Sequence, residues 1–111
     1  ENGCLRYVRG SHLDGIRPHL RTQVLGFSQG IHDYGSDDEA REVEMHLAPN
    51  DLIVHHGETI HRADPNRSAT RNRRAFAMVF RGESCERDQE AYSHYEASMN
   101  SQHAEMGLAT T

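Results

Sequence analysis

The sequence predicts an all-β fold, a small jelly roll or related barrel, followed by one C-terminal helix. Three observations lead there. About five short runs of alternating or strand-forming residues are separated by Gly, Pro and Asn turns. After residue 86 the composition changes to helix-compatible sequence. The length, 111 residues, fits one small domain. The chain therefore divides into 1–85, the β part, and 86–111, a helical tail expected to fray toward Thr111.

Each element has its own signal. Asn2-Gly3 is a tight-turn pair, which places a strand at Cys4–Val8 and implies another before it. Gly10-Ser11-His12 breaks that strand, and 13–20, with Pro18, reads as irregular loop. Thr22–Phe27 is a short strand. Ser28–Glu39 carries Gly30, Gly35, Ser36, Asp37 and Asp38 and reads as a polar loop with little to bury. Val43, Met45 and Leu47 alternate with Glu42, Glu44 and His46, so 42–47 is a half-buried strand. Pro49-Asn50 turns the chain into a strand at Asp51–His56, and 65–72 is loop. Arg73–Arg81 gives the clearest alternation: Ala75, Ala77 and Val79 share a face with Arg73, opposite Arg74, Phe76, Met78 and Phe80. Residues 87–105 suit a helix with a thin apolar face.

Composition excludes several classes. Hydrophobic residues are 35% of the chain, which is lean for so short a sequence. No apolar run is long enough for a membrane-crossing helix, and the N-terminus has no basic-then-apolar leader pattern. The formal charge of −5 argues against non-specific nucleic-acid binding, although Arg62, Arg67, Arg71, Arg73 and Arg74 fall within thirteen residues. Every base is arginine. Most of these arginines, Arg62 and Arg67 among them, are expected to be solvated. Cys4 and Cys85 are expected to be reduced thiols in a cytoplasmic protein. Neither has a second cysteine or histidine at chelating spacing, so the cysteines predict no zinc site.

Nine histidines are the conspicuous excess. The segment 49–61 holds His55, His56 and His61, and a histidine at the end of a barrel strand can face a metal inside it. Two histidines and a carboxylate on one face of an octahedron leave positions open for substrate or oxygen. On spacing alone, His61 reads equally well as a surface or loop histidine, and His55 reads better as one.

Asp51-Leu-Ile-Val-His-His-Gly-Glu-Thr-Ile-His61, then Asp64-Pro-Asn-Arg-Ser68 and Arg73-Arg-Ala75, resembles the C-terminal signature of the phytanoyl-CoA dioxygenase family. Glu1-Asn-Gly-Cys-Leu5 and Arg9-Gly-Ser-His12 are similar to that family's Glu-Asn-Gly-x-Leu and Pro-Gly-Ser-His segment, with Arg9 where proline is usual. The matching segments, 1–12 and 49–81, come in the family's order. The resemblance implies an Fe(II)- and 2-oxoglutarate-dependent oxygenase on a double-stranded β-helix. It places His61 at the distal iron-binding histidine, with His56 near it. It places Arg73 at the arginine that pairs with the far carboxylate of 2-oxoglutarate. Arg71 and Arg74 remain rivals, because the loop after Asn66 is one residue longer than the family spacing.

The family's other two iron ligands form a His-x-Asp/Glu motif ahead of the segment that opens this chain. His12-Leu13-Asp14 is the literal match here, at a place that aligns instead with the pocket rim. The expectation is thus the C-terminal part of a dioxygenase acting on a small-molecule substrate, with barrel edges left to pair, one route being a homodimer. Two alternatives stay open: a non-catalytic remnant of that fold, and a cupin-type metal or small-molecule binding module. A cupin would want a His-x-His pair, and the sequence has none.

Overall fold

The computed structural model describes residues 1–24 and 27–108. Strands β1 (Leu5–Val8), β2 (His19–Val24), β3 (Phe27–Ile31), β4 (Glu42–Met45) and β5 (His61–Ala63) form two small antiparallel sheets. Helices are α1 (Ser36–Ala40) and α2 (Gln89–Glu105), with one 3-10 turn at Ser11–Leu13. Among the described residues the strands close no barrel. The chain falls into two compact units, one of 1–17 and 33–77, the other of 18–32 and 78–111.

In the first unit β1 lies between β4 and β5. The register pairs Leu5 with Met45 and Ala63, Tyr7 with Val43 and His61, and Arg6 with Glu44 and Arg62. Because side chains alternate across a strand, Leu5, Tyr7, Val43, Met45, His61 and Ala63 share one face. Arg6, Val8, Glu42, Glu44 and Arg62 share the other. The buried centre is small. Val8 is 1% exposed and Ile60 8%. The Val8 N–H donates to the Ile60 carbonyl at 2.9 Å. The Ile60 N–H donates to Ser11 Oγ at 2.8 Å, and Ser11 is fully buried. That serine completes the backbone pairing one residue before His61.

Gly3 explains the turn that opens the chain. Its φ is +84°, a left-handed conformation that a side chain disfavours, and a Cβ there would run into the Asp64 carbonyl and the Arg73 guanidinium. Only Gly3 of the Asn2-Gly3 pair has positive φ. Helix α1 begins after Gly35, whose N–H donates to the Asp38 carboxylate at 3.1 Å.

In the second unit β2 pairs with β3, and α2 packs against β3. Asp88 caps α2, accepting from the Ala91 N–H at 3.0 Å. Gln102, 1% exposed, donates to the Thr22 carbonyl at 2.8 Å. Arg21 pairs with Glu105 at 2.6 Å. The helix ends where Gly107 turns to φ +68° and the Leu108 N–H reaches back to the His103 carbonyl.

Several sequence expectations are met. The strands at 4–8 and 42–47 are β1 and β4, and the helix at 87–105 is α2. Others are corrected. Residues 28–39 contain most of β3 and the start of α1 rather than a loop. The strand expected at Thr22–Phe27 overlaps β2 and β3, but Leu25 and Gly26 lie outside the described residues, as do the last three residues of the tail. Neither Asp51–His56 nor Arg73–Arg81 forms a strand. No described strand pairs with either segment, and extended chain without ladder partners has little to hold it. Leu52 and Val54 are 80% and 85% exposed, and Phe76 and Val79 are 87% and 96% exposed.

Candidate metal and cosubstrate site

His61 opens β5, opposite Tyr7. Its ring stacks on Tyr7 at 5.4 Å between centroids, and His55 closes the group at 5.0 Å from Tyr7 and 5.1 Å from His61. Both imidazoles are oriented by backbone carbonyls. His61 Nδ1 lies 2.9 Å from the Thr59 oxygen, and His55 Nδ1 lies 2.9 Å from the His56 oxygen. An Nδ1 that donates to a carbonyl puts the lone pair on Nε2, the tautomer a metal ligand needs. Burial holds the Tyr7 phenol above its ordinary range, so it stays neutral.

His55, not His56, is thus the neighbour of His61. His56 turns toward His12, with ring centroids 5.8 Å apart, and its Nδ1 accepts from the Glu58 N–H at 3.2 Å. Asp14 pairs with Arg41 at 2.9 Å. The literal His12-x-Asp14 match is therefore not gathered with His61. Among the described residues, no three His, Cys, Asp or Glu ligand atoms converge around His61.

Arg73 is anchored from one nitrogen. Its Nη1 donates to the Gly3 carbonyl at 2.8 Å and to the Asp64 carbonyl at 2.7 Å. This leaves Nε and Nη2, the edge of the guanidinium that matches a carboxylate with two parallel bonds. Arg71 and Arg74 have no such anchor. At Arg71 the backbone makes the bonds, its N–H to Ser68 Oγ and its carbonyl to Asn66 Nδ2.

The opposite face of the sheet holds an ion-pair network that sequence reasoning missed. Arg6 and Arg62 stand directly across from one another, an arrangement that repels unless carboxylates intervene. Glu42 and Asp64 do so. Arg62 meets Glu42 at 2.5 and 2.9 Å and Asp64 at 2.7 Å. Arg6 meets Asp64 at 3.0 Å, Glu44 at 2.5 Å and Glu42 at 3.4 Å. Tyr34 also donates to Glu42. The Arg62 bond holds the Glu42 carboxyl below its usual range, and the Arg6 bond does the same for Asp64. Arg62 is therefore engaged rather than merely solvated. The Glu42/Glu44 alternation facing Arg6 was the available signal.

A recess of about 340 Å³ lies elsewhere in this unit, lined by residues that include Arg17, Asp33, Asp38 and Arg41. Its arginines are paired with its own carboxylates: Arg17 reaches Asp38 at 2.7 Å and Asp33 at 2.9 Å, and Arg41 reaches Asp38 at 3.3 Å. Asp38 is held below its usual pKa range, chiefly by Arg17.

Comparison with known proteins decides the family. The phytanoyl-CoA dioxygenase family profile matches residues 1–75. The chain belongs to the phytanoyl-CoA dioxygenase family. It is 32% identical over 81 residues to phytanoyl-CoA dioxygenase domain-containing protein 1 of Bos taurus, covering 70% of this chain and 28% of that relative. No solved structure matches significantly. The family match includes both His61 and Arg73 and ends before the exposed segment from Phe76 onward. No described helix is long and apolar enough to cross a membrane.

Proposed function

We propose that this chain belongs to an Fe(II)- and 2-oxoglutarate-dependent dioxygenase built on a double-stranded β-helix, and that it contributes His61 to the iron and Arg73 to the cosubstrate. The family match across residues 1–75 carries this reading.

The side chains fit these roles in part. His61 is held by the Thr59 carbonyl with Nε2 free to ligate, which suits a ferrous ion. Arg73 is fixed through Nη1, with its other edge free for a carboxylate. The described residues bring no second and third ligand to His61, so the proposal assigns those to sequence outside them. When bound, the iron supplies the oxygen-activating chemistry that couples oxidation of 2-oxoglutarate to hydroxylation of a small-molecule substrate. The chain's own share is positional. Tyr7 and the Thr59 carbonyl orient the His61 ring, while Gly3 and Asp64 hold the Arg73 fork ready for the cosubstrate.

Copies of the chain associate through strand edges, since among the described residues β4 and β5 each have one unpaired side in the three-stranded sheet. Succinate release from 2-oxoglutarate tests the enzymatic claim. Turnover should require Fe(II), be weak in this chain, and vanish in His61→Ala. Turnover that survives His61→Ala overturns the assignment. A protein that neither binds iron nor releases succinate favours the non-catalytic alternative.

A further inference from the structure

Sheet pairing assembles a second ligand set that chain spacing conceals. Leu5 stands opposite Met45, so the next step along the antiparallel register brings Cys4 opposite His46. Glu44 lies two residues before His46 and therefore projects from the same face. The Cys4 sulfur, a Glu44 carboxylate oxygen and a His46 ring nitrogen all lie within 4.8 Å of one another. Strand parity puts this trio on the face of the sheet opposite Tyr7 and His61. Neither cysteine has a chelating partner close in sequence; the neighbours of Cys4 come from across the sheet.

We infer that Cys4, Glu44 and His46 form a binding site for a zinc-class divalent cation, separate from the iron role of His61. The chemistry of the donors selects the ion. A thiolate, an imidazole and a carboxylate suit zinc, whereas magnesium and calcium want oxygen alone. Three protein ligands leave the fourth tetrahedral position to water. Tetrahedral bonds of about 2.0–2.3 Å place neighbouring ligand atoms about 3.3–3.6 Å apart. His46 Nε2 and Glu44 Oε2 already stand at 3.1 Å. The sulfur has at most about 1.3 Å to close, within reach of side-chain rotation.

The surroundings support the same ion. Cys4 is half-buried and free of any disulfide, while His46 is exposed enough to turn toward a ligand. Arg6 grips Glu44 at 2.5 Å, which fixes the carboxylate as an outer partner does in metal sites. The positive charge of Arg6 would oppose a cation, but Glu42 and Asp64 already offset it. Binding releases the thiol proton, so affinity falls as pH drops.

Cobalt(II), which reports thiolate ligation by colour, is titrated into the unaltered chain and into His61→Ala, so that the iron-type ligand does not contribute. One cobalt per chain with a sulfur-to-metal charge-transfer band is expected in both, with zinc displacing it. Cys4→Ser should abolish the band, while His46→Ala and the surface change Glu44→Gln should weaken binding at least about tenfold. Cys85→Ser should leave it unchanged. Far-UV circular dichroism confirms that each variant is folded. Absence of a one-to-one complex, or a band that survives Cys4→Ser, overturns the site.

Discussion

Replacing Ser11 by alanine probes the joint that seats His61. The hydroxyl is fully buried and accepts the Ile60 N–H at 2.8 Å, and Ile60 is itself only 8% exposed. Removal leaves a buried amide without a partner, which costs about 1–3 kcal/mol. Taking about 2 kcal/mol, the equilibrium for local opening rises about 30-fold. Little offsets this, because the lost side chain is a single oxygen and opens almost no cavity. Amide hydrogen exchange reads the effect at the right place, since it reports local opening residue by residue. Protection of the Ile60 amide should fall by about that factor, with smaller losses at Val8, whose N–H donates to the Ile60 carbonyl. Ser93→Ala, which removes a hydroxyl on α2 bonded to the Gln89 carbonyl, should leave Ile60 unaffected. Unchanged protection at Ile60 in Ser11→Ala would refute the claim that this hydrogen bond anchors the approach to β5.

Gly3→Ala should destabilise the chain by about 1–3 kcal/mol in urea unfolding, because it combines a left-handed φ of +84° with a clash at Asp64 and Arg73. It should also weaken 2-oxoglutarate binding by displacing Arg73, whereas Gly57→Ala, where an added Cβ meets nothing, should do neither. The carboxyls of Glu42, Asp38 and Asp64 are held below their usual range by Arg62, Arg17 and Arg6 respectively. Their folded values lie below their unfolded ones, so the stability they contribute is fully present above about pH 4–5 and is lost as pH falls below that. Circular dichroism against pH should show this acid loss, reduced in Glu42→Gln; stability that is flat or rising on acidification contradicts the network. Light scattering should show dimers whose fraction rises with concentration, and a monomer at every concentration would exclude edge pairing of β4 or β5.

Particular residues show why some of this was legible in the sequence and some was not. Val43 and Met45 alternate with Glu42 and Glu44, and that local period survives intact as β4. Asp88 and Gly107 bound α2 because capping is also local chemistry. The alternation from Arg73 to Arg81 is just as clear, yet it expresses only a preference. A strand needs a partner, and none of the described strands pairs with it. The same limit hid Cys4 and His46, which lie far apart in sequence and meet only through the β1–β4 register. It also hid the role of Arg62, which reaches Glu42 across β1, the strand that lies between theirs. His61 and Arg73 were singled out only through motifs shared with the family, since no local periodicity marks either residue as a ligand.

Binding of 2-oxoglutarate to the Fe(II)-loaded protein under anaerobic conditions tests the central claim most directly. The account predicts a visible metal-to-ligand charge-transfer band that titrates with 2-oxoglutarate. It should be lost in His61→Ala, and in Arg73→Ala it should be reached only at higher 2-oxoglutarate concentration. A band that titrates identically in the unaltered chain and both variants would contradict the roles given to His61 and Arg73.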